Sequence, residues 1–138
     1  MIILDTNVLS ALMRQAPDPK VVAWLDLQAR ASIWITSVTV LEIQFGLQIL
    51  ATGRRRTLLS EGFEQLLTRI GGRVATFDVA AAERASNLMA ERHKKGRPVD
   101  PRDTMIAGIT LAQHATLATR NASHFEDAAL PLVNPWTA

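Results

Sequence analysis

Three acidic residues that lie far apart along the chain, Asp5, Glu42 and Asp103, are the strongest candidates for chemistry. Asp5 directly follows a short apolar run, Glu42 lies in an apolar helical stripe, and Asp103 lies at the start of a helical segment. Three like charges that converge in a partly buried site repel one another unless a cation lies between them. Because the chain has neither cysteine nor an ordered pair of histidines, we expect oxygen ligands, which suit Mg²⁺ or Mn²⁺ rather than Zn²⁺.

Each of these acids also has a purely structural explanation. Asp5 would cap the helix that follows it. Thr39 and Glu42 have the spacing of a capping box. Asp103 would lie in the first turn of a helix capped by Asp100, where the helix dipole favours negative charge. The cation site is favoured because all three acids fall in the first turns of helices that follow, or pack beside, central strands.

Short apolar runs alternate with helical periodicity along the chain. The runs predict strands at residues 2–4, 32–37, 73–77 and 116–119, with a possible fifth at 130–133; helices are predicted at residues 8–13, 21–29, 38–51, 55–70, 79–95 and 100–115. Strands separated by helices form right-handed βαβ units. We therefore expect one α/β domain over residues 1–138, with helices flanking a mostly parallel sheet of four to five strands.

This architecture gives Asp5 a location. Ligands of open parallel sheets bind beyond the carboxyl ends of the strands, near the point where the strand order reverses. Asp5 lies at that end of the first strand, so the acids are expected to meet there.

Composition limits the class of protein. The chain has 138 residues, 48% of them apolar, a net charge of +2 and no cysteine, which excludes disulfides and thiolate chemistry. The sequence begins without a basic leader and holds no apolar run of the roughly 20 residues that span a bilayer. We expect a soluble, cytoplasmic protein.

Basic residues concentrate in two segments, Arg54–Arg56 and Arg92–Arg97. Solvated helix ends, where cations complement the helix dipole, are the commoner explanation for such segments. If the segments flank the acidic site, they would instead contact the phosphates of a nucleic acid.

Four motifs, in order and in register, resemble a known family. They are IILDTNVL, ITSVTVLEIQFG, RDTMIAG and LATRNASHF, and the closing NPW extends the likeness. Together they resemble the PIN domain, and specifically a VapC- or FitB-like toxin of a type II toxin–antitoxin pair. The resemblance implies a ribonuclease that depends on Mg²⁺ or Mn²⁺ and cleaves RNA at an acidic site.

The resemblance also implies roles for individual residues. Asp5, Asp103 and Glu42 would hold the metal, with Asp5 as the central ligand, and Glu42 would bind metal or position the attacking water. Thr119 is a candidate hydroxyl donor. Members of the family often carry a fourth acid after the fourth strand, where this chain has Asn121, an amide that can orient water but brings no charge.

The implied partners are a cognate antitoxin and a second copy of the chain, in an assembly that binds operator DNA through the antitoxin. An antitoxin would cover the groove with an apolar segment and place a basic side chain among the acids, in competition with the metal. A surplus apolar stripe on two helices predicts the homodimer interface, although mutual packing of those helices explains the stripe equally well; it comprises Ile43, Leu47, Leu50, Leu58, Leu59, Leu66 and Leu67.

Two other classes of protein fit a small parallel α/β domain. A response-regulator receiver needs an acidic pair after the first strand, and Asp5 stands there alone. A non-catalytic module that binds nucleic acid or protein is the second alternative. Metal-dependent activity would distinguish a nuclease from both.

Overall fold

A five-stranded, fully parallel sheet forms the centre of the computed structural model, which describes residues 1–98 and 100–138. The strand order is β3-β2-β1-β4-β5. The strands are β1 (Ile2–Leu4), β2 (Ile33–Thr36), β3 (Val74–Ala75), β4 (Thr116–Ala118) and β5 (Leu132–Val133). The predicted α/β class and strand positions are confirmed. The edge strands β3 and β5 are shorter than predicted, since each pairs on one side only.

Six α-helices connect and cover the strands, as predicted. They are α1 (Thr6–Met13), α2 (Pro19–Asp26), α3 (Ser37–Ile49), α4 (Arg54–Ile70), α5 (Val79–Lys94) and α6 (Pro101–Ala112). Side chains cap five of the six helices, because aspartate and threonine oxygens accept hydrogen bonds from free backbone N–H groups; the caps are Asp5, Asp18, Thr36, Asp78 and Asp100. Within the described residues, no helix has both the length and the apolar character needed to cross a membrane.

The strand order reverses between β1 and β4, which are neighbours in the centre of the sheet. The chain moves outward from β1 through β2 to β3, and then returns to the other side of β1 for β4 and β5. Leu4 pairs with Ala118, and the backbone N–H of Asp5 donates to the carbonyl oxygen of Ala118 at 2.9 Å. This register places Asp5 next to Thr119 at the crevice where parallel sheets bind ligands.

Both faces of the sheet are buried, because successive side chains of a strand point to opposite faces. Leu4 lies in a core cluster with α1, α2, α3 and α4 on one face. Ile3 lies in a second cluster with α5 and α6 on the other face. The two layers of helices therefore fix the directions in which β1 and β4 deliver their terminal residues.

The apolar stripe that was predicted as a dimer interface is part of the core instead. Ile43 and Leu47 are buried in the first cluster, and the rest of the stripe is half-buried; Leu50, Leu59, Leu66 and Leu67 pack against that cluster. The mutual packing of the helices explains the stripe. The exposed apolar side chains of α3 are different ones, Leu41, Phe45 and Ile49.

The two basic segments have different environments. Arg54–Arg56 form the first turn of α4, at the positive end of its dipole, so the interpretation as a complementary helix end is wrong there. Arg92 does lie in the last turn of α5, but it is only 4% exposed. A solvated helix end does not describe Arg92.

Candidate active site

Asp5 serves as a helix cap and as the centre of a hydrogen-bonded site. Its Oδ1 accepts a hydrogen bond from the backbone N–H of Thr6 at 2.8 Å, which caps α1. Its Oδ2 accepts from the Thr119 hydroxyl at 2.7 Å and from the Asn7 amide at 3.2 Å. The side chain is therefore held by α1 and by the residue that follows β4, and Asp5 is 4% exposed.

Burial makes the Asp5 carboxylate costly to ionise. Burial raises its pKa from 3.8 to about 6, and the nearby charges of Asp103 and Glu42 add to the rise, whereas hydrogen bonds from Thr119 and Thr6 oppose it. Asp103 and Glu42 therefore lie near enough to Asp5 for their charges to act on it. A cation at this position would relieve both the burial cost and the mutual repulsion.

Glu42 extends from α3 to the start of α1. Its Oε1 accepts from the Thr6 hydroxyl at 2.8 Å, and its Oε2 lies 3.7 Å from Nη1 of Arg102. The capping box predicted for Thr39 and Glu42 is wrong because α3 begins earlier. Its cap is Thr36, whose hydroxyl oxygen accepts from the backbone N–H of Thr39 at 3.0 Å.

Asp103 lies in the first turn of α6 without capping it. The cap is Asp100, whose Oδ1 accepts from the backbone N–H groups of Arg102 at 3.0 Å and Asp103 at 3.2 Å. The Asp103 side chain turns away from the cap, and its Oδ2 lies 3.2 Å from Nδ1 of His124. Its carboxylate is one-quarter exposed and therefore accessible to solvent.

Thr119 and Asn7 connect the loop after β4 to α1. The Thr119 hydroxyl donates to Asp5 and accepts from the backbone N–H of Asn121 at 3.0 Å. The Asn7 side-chain oxygen accepts from the backbone N–H of Arg120 at 3.1 Å. Because the one hydroxyl proton of Thr119 is given to Asp5, this residue positions the acid rather than donating to a ligand.

Arg92 is a structural residue of the site that sequence reasoning missed. Its Nε and one terminal nitrogen donate to the two carboxylate oxygens of Asp127, both at 2.9 Å. Its guanidinium also donates to Thr104 at 3.0 Å and to the carbonyl oxygen of His124 at 2.8 Å. These bonds join α5 to α6 and to the loop after β4. The sequence of the basic segment Arg92–Arg97 does not show that Arg92 is its buried residue.

Two separate cavities are lined in part by Glu42 and by Asp103. A groove of about 730 Å³ begins at Thr6 and Glu42 and continues between α1, α3 and α4; the rest of its lining includes Met13, Leu47, Leu50 and Leu58, with Arg14, Arg54 and Arg55. A smaller cavity of about 310 Å³ is lined by Asp103, His124 and Arg97, among others. Glu42 thus lines an apolar groove with basic residues, and Asp103 lines a separate, smaller cavity.

The donor set suits a hard divalent cation. Among the described residues, no three His, Cys, Asp or Glu side chains are placed so that they could hold an ion together. Mg²⁺ commonly keeps several water molecules and binds one or two carboxylates. Asp5 with a second acid of the cluster meets that requirement in donor type and in charge, so the residues fit such an ion.

Carboxylates at the switch point of a parallel α/β sheet lie where such sheets bind ligands. A family model described as PIN domain matches residues 2–130. The VapC ribonuclease Y4jK of Sinorhizobium fredii is 39% identical to this chain over 137 residues, 99% of this chain and 98% of the relative. The toxin FitB of Neisseria gonorrhoeae is 33% identical over 137 residues, 99% of each chain.

A solved structure agrees with these relatives. A chain in the crystal structure of FitAcB from Neisseria gonorrhoeae matches with a TM-score of 0.89 and 32% identity, covering 100% of both chains. Further matching chains come from VapBC complexes that hold DNA. The chain therefore belongs to the PIN-domain family. Within that family it has VapC and FitB homologues.

Proposed function

We propose that the chain is a metal-dependent ribonuclease, the toxin of a type II toxin–antitoxin pair. The observation that carries the proposal is the buried Asp5 carboxylate, whose pKa is raised by burial and by the charges of Asp103 and Glu42. A buried carboxylate with a raised pKa in a crevice is a candidate functional residue. Membership of the PIN-domain family and the likeness to a VapC ribonuclease support RNA as the substrate.

The proposed cofactor is Mg²⁺ or Mn²⁺. When bound, such an ion polarises the scissile phosphate and lowers the pKa of a coordinated water. Asp5 would be the central ligand, and Asp103 and Glu42 would bind directly or through water.

The remaining polar residues position these ligands. Thr119 donates to Oδ2 of Asp5, and Thr6 donates to Oε1 of Glu42, so both carboxylates keep fixed orientations in the site. Asn121 follows Thr119 at the same edge of the sheet, where its neutral amide would orient water.

The groove beside Glu42 is the proposed path for RNA. Arg14, Arg54 and Arg55 line it, and cations along a groove attract a phosphate backbone without reading sequence. The apolar walls of the same groove would receive a segment of the antitoxin, so the antitoxin and RNA would compete for one surface. A homodimer, and an assembly that binds operator DNA through the antitoxin, complete the proposal.

The decisive experiment compares the wild-type protein with Asp5→Asn at pH 8, where Asp5 is ionised. The wild-type protein should cleave RNA with Mg²⁺ or Mn²⁺, stop with chelator and recover when metal is restored. Asp5→Asn should abolish cleavage and keep a native circular dichroism spectrum, because the amide preserves the shape of the side chain and removes a costly buried charge.

Asp26→Asn is the matched control, since Asp26 is an exposed acid at the end of α2. It should cleave RNA like the wild-type protein. Chelator-resistant cleavage that survives in Asp5→Asn would contradict the proposal, and so would a pure protein that cleaves no RNA with either metal.

A further inference from the structure

Arg102 is the basic residue that the structure places against the acidic cluster. Its Nη1 lies 3.7 Å from Oε2 of Glu42. In the part of the chain that the structure describes, no other lysine or arginine forms an ion pair with Asp5, Glu42 or Asp103. The guanidinium is thus the internal counter-charge of the cluster.

This ion pair is easily exchanged. The Arg102 side chain is 52% exposed, and it approaches Glu42 at a distance longer than a hydrogen bond. Exposed pairs of this kind contribute little to stability. The contrast is Arg92, which is buried and holds both oxygens of Asp127 at 2.9 Å.

The backbone of Arg102 is fixed while its side chain is free to turn. Arg102 directly precedes Asp103, and its backbone N–H donates to Asp100, the cap of α6. The Arg102 side chain therefore extends from a fixed backbone position beside the acids. A planar guanidinium suits the oxygens of a phosphate, to which it can donate two hydrogen bonds.

We propose that Arg102 is a substrate-binding residue that exchanges the Glu42 carboxylate for a phosphate oxygen of RNA next to the cleaved bond. This inference rests on the proposed ribonuclease function. Whatever neutralises Glu42 releases Arg102, so occupation of the acidic cluster and capture of the phosphate are coupled. Arg102 would contribute to substrate affinity rather than to the bond-breaking step.

A double-mutant cycle with chelator present tests the exchange without cleavage. The proteins are the wild type, Glu42→Gln, Arg102→Gln and the double variant, and the probe is a short fluorescein-labelled single-stranded RNA followed by anisotropy. In the Glu42→Gln background, loss of Arg102 should weaken RNA binding about tenfold, as expected for a hydrogen bond to a charged group. In the wild-type background, where Glu42 still pairs with Arg102, the same substitution should weaken RNA binding by a smaller factor.

Salt dependence and two further variants sharpen the result. Removing one phosphate contact should reduce the slope of log affinity against log salt by about 0.7 for a single strand. Arg102→Lys should retain part of the affinity because it keeps the charge. Arg30→Gln is the matched control, since Arg30 is exposed and lies just before β2, at the amino-terminal end of that strand and not at the carboxyl end near the acids. Arg30→Gln should leave binding unchanged.

Kinetic measurements of RNA cleavage distinguish this inference from the proposed function. With Mn²⁺, Arg102→Gln should raise KM about tenfold, because the same hydrogen bond to phosphate is lost, and it should leave kcat almost unchanged. If the wild-type protein cleaves RNA and Asp5→Asn does not, but Arg102→Gln binds and cleaves like Arg30→Gln, the inference about Arg102 is wrong and the ribonuclease assignment stands. Equal effects of Arg102→Gln in both backgrounds would also overturn the exchange with Glu42.

Discussion

At the scale of single residues, the structure separates capping from site formation. Asp100 caps α6, and the carboxylate of Asp103 contacts His124 instead. Asp5 does both tasks, because one oxygen caps α1 and the other is held by Thr119. A capping motif and a ligand motif are therefore not exclusive alternatives at the end of a strand.

Asp103→Asn distinguishes a ligand from a structural acid. If Asp103 is a ligand, the variant should lose Mn²⁺ affinity in isothermal titration and keep or raise its melting temperature, because one repelling charge is gone. Asp100→Asn is the matched control: asparagine caps helices as well as aspartate does, so both stability and Mn²⁺ affinity should stay close to wild type. Unchanged Mn²⁺ affinity in Asp103→Asn would remove this residue from the metal site.

At the scale of elements, the packing of α6 against α5 sets the position of Asp103. Gly108 allows this contact, because a Cβ there would lie 2.5 Å from the carbonyl oxygen of Ala81 and 2.8 Å from Cβ of Ala85. The bonds from Arg92 to Thr104 and Asp127 join the same two helices to the loop after β4. The acidic site is thus assembled by helix packing as well as by the sheet.

Gly108→Ala should destabilise the protein by about 1–3 kcal/mol, since overpacking at a helix contact forces backbone shifts. Gly46→Ala in α3 is the matched control. A Cβ at Gly46 meets nothing within 4 Å, so the better helix propensity of alanine should stabilise the protein by up to about 1 kcal/mol. Urea denaturation of both variants measures the difference. A Gly108→Ala variant as stable as the wild type would show that α5 and α6 pack less closely than the distances at Gly108 indicate.

At the scale of the whole molecule, the exposed apolar face of α3 is the best candidate for the proposed dimer contact. Leu41, Phe45 and Ile49 are spaced four residues apart, so they form one stripe, and they are 60%, 55% and 68% exposed. This stripe replaces the buried one that the sequence suggested. Contiguous exposed apolar residues of this kind are typical of protein–protein contacts.

Phe45→Glu should convert the dimer to a monomer, because it places a charge in the centre of that stripe. Leu27→Glu is the control, since Leu27 is 84% exposed and lies at the end of α2. Light scattering at micromolar concentration gives the masses. A wild-type monomer would refute the dimer, and a dimeric Phe45→Glu would move the interface away from α3.

Local sequence patterns were enough to predict the elements and the end of the strands at which Asp5 lies. The class, the strand positions and caps such as Asp78 and Asp100 were predicted because apolar periodicity and capping depend on residues within a few positions of each other. The shorter edge strands were predicted less well, since their length depends on which neighbour pairs with them.

Which side chains meet depends on how the whole chain packs. Thr119 and Asp5 are separated by 114 positions, and Thr6 and Glu42 by 36, so no local pattern contains their hydrogen bonds. The burial of Arg92 and of the stripe around Leu47 was equally invisible, because a basic or apolar residue of a helix has the same local sequence whether it faces solvent or another element. Burial and pairing are properties of the packed chain, and they set both the raised pKa of Asp5 and the exposure of Arg102.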